Sequence, residues 1–253
     1  MGRALQSTFW RGVGFLVVLE LMLVPAVLYF PEFQKHTNSL KAMAPIPVLR
    51  NVIDTLEQGG VFAYVTGQHF FKGCNTLGTA AAVLLACGAV AGEVHRGTFE
   101  IFLARPLSRR RILTERWLEG AAAVCIPVVL STLTIPWLCS FVGHSVPYVP
   151  LLLCAVQQCA VLLAVYALTF FLSTRARAPM GIAFAMLFFT VFQFAAYLVE
   201  RITHLSIFRL TDVERFLYIQ RELGFESWAL LPPLGITLLA FLASLASFER
   251  RTP

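Results

Sequence analysis

Six stretches of the chain are almost uninterrupted in apolar character, over residues 12–30, 74–92, 121–142, 149–172, 180–199 and 228–248. Each is close to or above the roughly twenty residues that a helix needs to cross the hydrocarbon of a bilayer. The pattern therefore predicts an all-α, polytopic membrane protein whose six transmembrane helices form a single domain over 1–253. Polar interruptions are few: Glu20 in the first span, Gln157 and Gln158 in the fourth. Pro25 is expected to kink the first span, and Pro127 and Pro136 lie inside the third. In the second, Gly88 and Gly92 are four apart, a spacing that serves either small-residue packing inside one subunit or close approach of a second copy.

Between the spans the period changes. Val48, Leu49, Val52, Ile53 and Leu56 recur on one helical face, with Arg50, Asp54 and Glu57 on the other. This predicts an amphipathic helix along the outer membrane surface, ended by Gly59-Gly60. Val61 to Phe71 is apolar but too short to span, and reads as an interfacial lead-in to the next helix. Residues 200–227 carry four basic and five acidic side chains and read as an outer loop. Within it Thr211 and Glu214 match a capping box, predicting a helix from Asp212 to about Leu223 that Gly224 closes.

The most charged stretch runs from Glu93 to Gly120, between the second and third spans, and holds six of the twenty basic residues: Arg96, Arg105, Arg109, Arg110, Arg111 and Arg116. Its arginine excess assigns it to the cytoplasm. Gly97 and Pro106 bracket a two-turn helix over Thr98 to Ala104, with Glu100 near its positive end. Ser108 then offers an N-cap to a second helix running through Ile112 and Trp117 into the third span. Phe99, Phe102 and Leu103 are apolar side chains in a segment that must face water, so a partner surface is expected to cover them.

The pattern E-x-x-x-G-T-F-E-x-x-L-A-R-P-L-S-R-x-x-I, here Glu93 to Ile112, resembles the first cytoplasmic loop of ABC (ATP-binding cassette) permeases of the type-2 exporter class. The likeness in wording covers about twenty residues; elsewhere the chain resembles the family in its succession of spans, and in lacking a large soluble domain it is similar to the compact six-span branch. The resemblance implies that this loop is a coupling helix docking on an ATPase subunit through Glu93, Gly97, Thr98, Phe99, Glu100, Phe102, Leu103, Arg105, Pro106, Ser108 and Arg109. It further implies two ATPase copies that bind the ATP and Mg, and a second permease subunit, either identical or a paralogue. A periplasmic or lipoprotein partner also fits the family. The resemblance would make Met1 to Arg11 an amphipathic elbow helix; by composition alone the segment is a basic flank.

Composition agrees with a membrane protein. The chain is 58% hydrophobic with 22 Phe, more apolar surface than a soluble domain of 253 residues can hide. Its net charge of +6 does not form a nucleic-acid patch but follows the loops. With six spans, the side holding both termini, residues 93–120 and 173–179 carries twelve basic and five acidic residues, against eight of each on the other side. The positive-inside rule places both termini in the cytoplasm, and the protein in the inner membrane in contact with lipid. The first span lacks a cleavage site followed by a soluble domain and reads as a retained helix. The six cysteines lie in or beside apolar runs without C-x-x-C spacing, so neither disulfides nor structural zinc are expected.

No G-x-x-x-x-G-K-[ST], H-E-x-x-H or G-x-S-x-G occurs, and the five histidines are scattered over separate segments. The chain is therefore expected to hold no cofactor and to be non-catalytic, with any ATPase a separate polypeptide. Glu20 is the one acid inside a span, either on the substrate path or gate, or paired with Gln157, Gln193, Tyr166 or Tyr197. The phenylalanine-rich fifth span reads as a lipid-contact surface. The function that follows is the membrane subunit of an ATP-driven exporter. The alternatives are an ion-coupled secondary transporter using Glu20, for which no internal repeat is found, and a non-transporting membrane scaffold.

Overall fold

Apolar runs of this length can satisfy their backbone in lipid only by becoming helical. In the computed structural model, which describes residues 2–43, 47–97, 108–176 and 178–250, they have done so. The described residues are 89% helical and contain no strand. Six helices are long and apolar enough to cross a membrane: Gln6–Leu28, Gly60–Ala89, Arg109–Phe141, Tyr148–Arg175, Pro179–Leu198 and Ser227–Glu249.

The fourth span is the axis of the bundle, with 72% of its apolar window buried, and the second follows with 61%. The first, fifth and sixth bury 28% each and turn most of their surface outward. The sixth packs along the fourth, the second against the fourth, and the first against the third. Small residues allow the close contacts. A Cβ on Gly78 would lie 2.9 Å from Leu162, and one on Gly120 would lie 2.1 Å from the Tyr166 hydroxyl. On the fifth span Phe184, Phe188, Phe192 and Phe194 are exposed, while Phe189 packs against the core.

Several boundaries differ from the sequence expectation. The first helix runs over Gly2–Leu28 with Pro25 inside it and ends at Tyr29, whose N–H still bonds to the Pro25 carbonyl at 3.0 Å. The amphipathic helix is present over Pro47–Gln58 and ends as expected, with Gly60 in the left-handed region at φ 60°. The second span is a single helical rod from Gly60 to Ala89, not a span beginning at residue 74 with an interfacial lead-in before it. Its central part, Gly67–Gly78, is wound as a π-helix, a form that is rare and normally confined to single turns. Lys72 and Gly73 divide the apolar run in the sequence, though the helix continues through them. His69 and Asn75, on this rod, are buried and hydrogen-bonded across to other spans.

His69 Nε2 lies 3.3 Å from Ser131 Oγ and 3.4 Å from Thr132 Oγ1 on the third span. Both hydroxyls already donate to the Val128 carbonyl, so the ring nitrogen is the donor. Asn75 Oδ1 accepts from Gln158 Nε2 at 2.9 Å and from Thr211 Oγ1 at 3.1 Å.

Thr211 belongs to the 200–227 segment, which does not stand clear of the bundle. Two 3₁₀ turns, Thr203–Leu205 and Ile207–Thr211, and the helix Val213–Glu222 are let into the bundle, with Phe208, Thr211, Val213 and Phe216 buried. The intramembrane glutamines hold it there. Gln157 donates to the carbonyls of Leu210 (3.1 Å) and Ala229 (3.0 Å), and Gln193 Oε1 accepts from the Ile207 N–H at 2.9 Å. The expected capping box does not form: Thr211 ends the preceding 3₁₀ turn, and its hydroxyl donates to Asn75. Asp212 caps the helix instead, accepting from the Val213 N–H, and Leu223 rather than Gly224 takes the left-handed turn, at φ 49°.

Candidate docking segment and intramembrane carboxylate

The chain leaves the second span through a break. Ala89 ends the rod, Val90 departs from helical geometry at φ −123°, and a short helix Ala91–His95 follows. Such a break leaves backbone N–H groups without their usual carbonyls. Ser173, near the end of the fourth span, supplies the partner: its Oγ accepts from the N–H groups of Ala91 (2.9 Å) and Val90 (3.3 Å) and donates to the Cys87 carbonyl (3.3 Å). The hydroxyl is fully buried. It fixes the direction in which the chain enters the charged segment. Glu93 sits half-buried in the short helix and pairs with Arg96 at 2.8 Å. Gly97 closes this part at φ 69°, a conformation that disfavours any side chain.

Thr98, Phe99, Glu100, Phe102, Leu103, Arg105 and Pro106 lie outside the described residues, and with them the expected helix over Thr98 to Ala104. The structure resumes at Ser108, whose extended backbone and side chain cap the third-span helix as the sequence predicts, Oγ accepting from the Arg111 N–H at 3.3 Å. Arg109 donates to the Glu249 carbonyl at 3.3 Å, and Arg110 pairs with the Glu249 carboxylate. The far side of the segment is thus tied to the end of the sixth span. About two turns further on, Tyr166 of the fourth span donates to the Trp117 carbonyl at 3.3 Å, across the gap that Gly120 leaves open.

Glu20 is not part of this assembly. Its carboxylate accepts from Thr134 Oγ1 at 3.0 Å. Thr134 lies roughly 38 Å along the third helix from Arg109, at 1.5 Å per residue. None of the partners expected for Glu20 is its partner. Gln157 and Gln193 hold the 203–211 turns, Tyr166 holds the third span, and Tyr197 bonds to Asp212. Among the described residues no three His, Cys, Asp or Glu side chains gather to hold a metal ion. What is built is a charged connection clamped at both ends to an apolar bundle, with no acid–base constellation.

Over residues 14–251 the chain matches the family model described as ABC-2 family transporter protein. The chain belongs to that family. No curated protein sequence matches it significantly. The match extends over all six spans, well past the twenty residues that carry the resemblance in the sequence. The protein is therefore a multi-pass ABC transporter permease. Ser173, Thr134 and Glu249 are residues that sequence reading missed, and Tyr166 was considered only as a partner of Glu20. Each is a polar side chain in or at the end of an apolar helix, and its partner becomes apparent only from the packing of the spans.

Proposed function

We propose that this permease is the membrane half of an ATP-driven exporter, and that residues 98–106 dock on a separate ATPase subunit. ATP and Mg bind to that subunit, present in two copies, and a second permease completes the path. The chain itself performs no chemistry. Both termini and the docking segment face the cytoplasm of a cell bounded by the inner membrane, in keeping with the arginine excess there.

The observation that carries this reading is the clamping of the segment's two ends, by Ser173 and by Glu249. A short apolar segment such as 98–104 is marginal as an isolated helix. Fixed ends make it a presented element, and Phe99, Phe102 and Leu103 give it the apolar face a protein groove requires. Glu100 and Arg105 set orientation at the rim, where charge governs specificity more than affinity.

The test is co-purification of the ATPase with Phe102→Ala and Glu100→Arg. Docking predicts that both variants reach the membrane and lose the ATPase and its transport-coupled hydrolysis. Were the phenylalanines anchored in lipid instead, Glu100→Arg would be harmless, since added positive charge favours an anionic surface. Retention of coupled ATPase by both variants refutes the assignment.

A further inference from the structure

We propose that the second span presents an anion-binding site at mid-membrane, built on Lys72 and Gln68, and that the exported substrate is an organic anion whose acidic group, a carboxylate, phosphate or sulfonate, is held there. Calling the ligand the substrate rests on the export function proposed above; the site itself does not.

Among the described residues, Lys72 is the only lysine or arginine more than ten residues from the nearer end of its spanning helix, at twelve from Gly60 and seventeen from Ala89. Three neighbouring spans measure its depth. On the same rod His69 bonds to Ser131 and Thr132, Asn75 bonds to Gln158, and a Cβ on Gly73 would lie 3.7 Å from Met22 and 3.9 Å from Leu19. Each of these partners sits near the middle of its own apolar run, 121–142, 149–172 or 12–30. The headgroups are therefore about 15 Å away. That is beyond the roughly 6 Å over which a lysine side chain can snorkel.

The residue also faces outward. Lys72 and Thr76 are exposed and Gln68 is half-buried, each four residues from the next on one face. That face falls within the stretch wound as a π-helix, a form frequent at functional sites. At the same depth the outward side chains of other spans are apolar: Leu21 of the first, Leu133 of the third, Phe188 of the fifth and Leu238 of the sixth. Glu20, the other charged group at this level, is turned to Thr134. Lys72 makes no ion pair and no side-chain hydrogen bond among the described residues. An unpaired ammonium against lipid at mid-membrane is expensive, and charged groups at this depth face water-filled paths instead. An apolar helix of a second copy seated there would bury the charge unpaired, at high cost.

The groups on this face select an anion. Thr76 spends its proton on the Lys72 carbonyl, at 2.6 Å. Gln68 makes no side-chain hydrogen bond among the described residues, so its amide N–H is left to donate. An ammonium and an amide one turn apart supply hydrogen-bond donors and one positive charge, which the oxygens of an acid accept and which repel a cation. Lysine binds as a point charge without a fixed fork, so carboxylate, phosphate and sulfonate fit alike.

The test is thiol labelling of Thr76→Cys in the full-length protein, in membrane vesicles without ATP, with the unaltered chain as the blank. The reagents are the anionic sulfonatoethyl and the cationic trimethylammonioethyl methanethiosulfonates, each rate divided by that for a free thiol in water. The anionic reagent is expected to react about tenfold faster or more on this scale, and the preference to vanish when Lys72→Gln is added. Naphthalenesulfonate, an unreactive organic anion, should slow the labelling severalfold, and benzyltrimethylammonium should not. Leu238→Cys, at the same depth on the sixth span, should resist both reagents. The proposal is overturned if neither reagent reaches Thr76→Cys, if Lys72→Gln keeps the preference, if naphthalenesulfonate gives no protection, or if Leu238→Cys reacts as fast. Protection by naphthalenesulfonate without any change in the ATPase activity of the assembled complex would overturn the assignment of the ligand as substrate. Labelling needs no ATPase, so its failure leaves the docking of residues 98–106 standing, and failure of docking leaves the anion site standing.

Discussion

Replacing Ser173 with alanine removes one oxygen and leaves three backbone groups, the N–H of Val90, the N–H of Ala91 and the carbonyl of Cys87, without the partner they now share. The site is fully buried, so water cannot take over without the break opening. A buried donor left unsatisfied costs about 1–3 kcal/mol. Two donors, one of them held at the longer distance of 3.3 Å, put the local penalty at about 2–4 kcal/mol. The expense falls on the turn Ala91–His95, which has few bonds of its own, and not on the fourth span, which keeps its helix. Hydrogen exchange of the reconstituted protein reads this directly. Amides of residues 90–97 are expected to exchange about 30-fold to several hundred-fold faster in Ser173→Ala, at 1.4 kcal/mol per factor of ten. Peptides from the fourth span should be unchanged. An exposed hydroxyl of similar type, Ser140, which donates only to the Trp137 carbonyl, is the control. Exchange within twofold of the parent over 90–97 would refute the view that Ser173 sets the course of the docking segment.

Three further outcomes follow from geometry. Glu20 faces a hydroxyl and no cation, so Glu20→Gln should leave thermal stability within about 1 kcal/mol and transport-coupled ATPase activity intact; loss of activity with normal assembly would instead show that its charge is used. Burial lifts the Asp212 carboxyl to about 6, partly offset by its bonds to Tyr197 and to the Val213 N–H, with Glu214 adding to the rise and Arg215 opposing it. The folded state therefore holds a proton that the unfolded chain releases nearer its ordinary value. Stability should be full below that value and fall by about 3 kcal/mol as pH rises through 6. Melting curves at pH 5 and 7 should differ for the parent and converge for Asp212→Asn, which can still cap the helix. Gly120→Ala, with a Cβ meeting Tyr166 at 2.1 Å, should cost about 1–3 kcal/mol by thermal denaturation, whereas Gly181→Ala, with nothing near, should cost none.

The number of spans, the Ser108 cap and the amphipathic helix were legible in the sequence because each rests on local information: run length, one side chain against one N–H, and a single helical period. What was missed is non-local. Lys72 and Gly73 cut the apolar run, so Val61 to Phe71 looked too short to span, and the partners that hold the buried His69 in the bundle, Ser131 and Thr132, are remote in sequence. The same holds for the 200–227 segment. Its helix was legible within one residue at each end, but not its burial: Gln157 and Gln193 hold its backbone from other spans, and the cap falls on Asp212 rather than Thr211. Thr134 carries no mark that sets it apart from the other hydroxyls of the third span, so pairing it with Glu20 needed the packing of the first helix on the third.

The clamps at residues 90–91 and 109–110 lie on different spans, the fourth through Ser173 and the sixth through Glu249, but those two spans pack along each other. Mechanically the segment is a handle with both feet on one beam. Both ends of the segment are therefore bonded to the pair of helices that packs most extensively in the bundle. Ser173 and Gln157 both lie on the fourth span, 16 residues apart, so the helix that bonds the start of the segment also bonds the 203–211 turns.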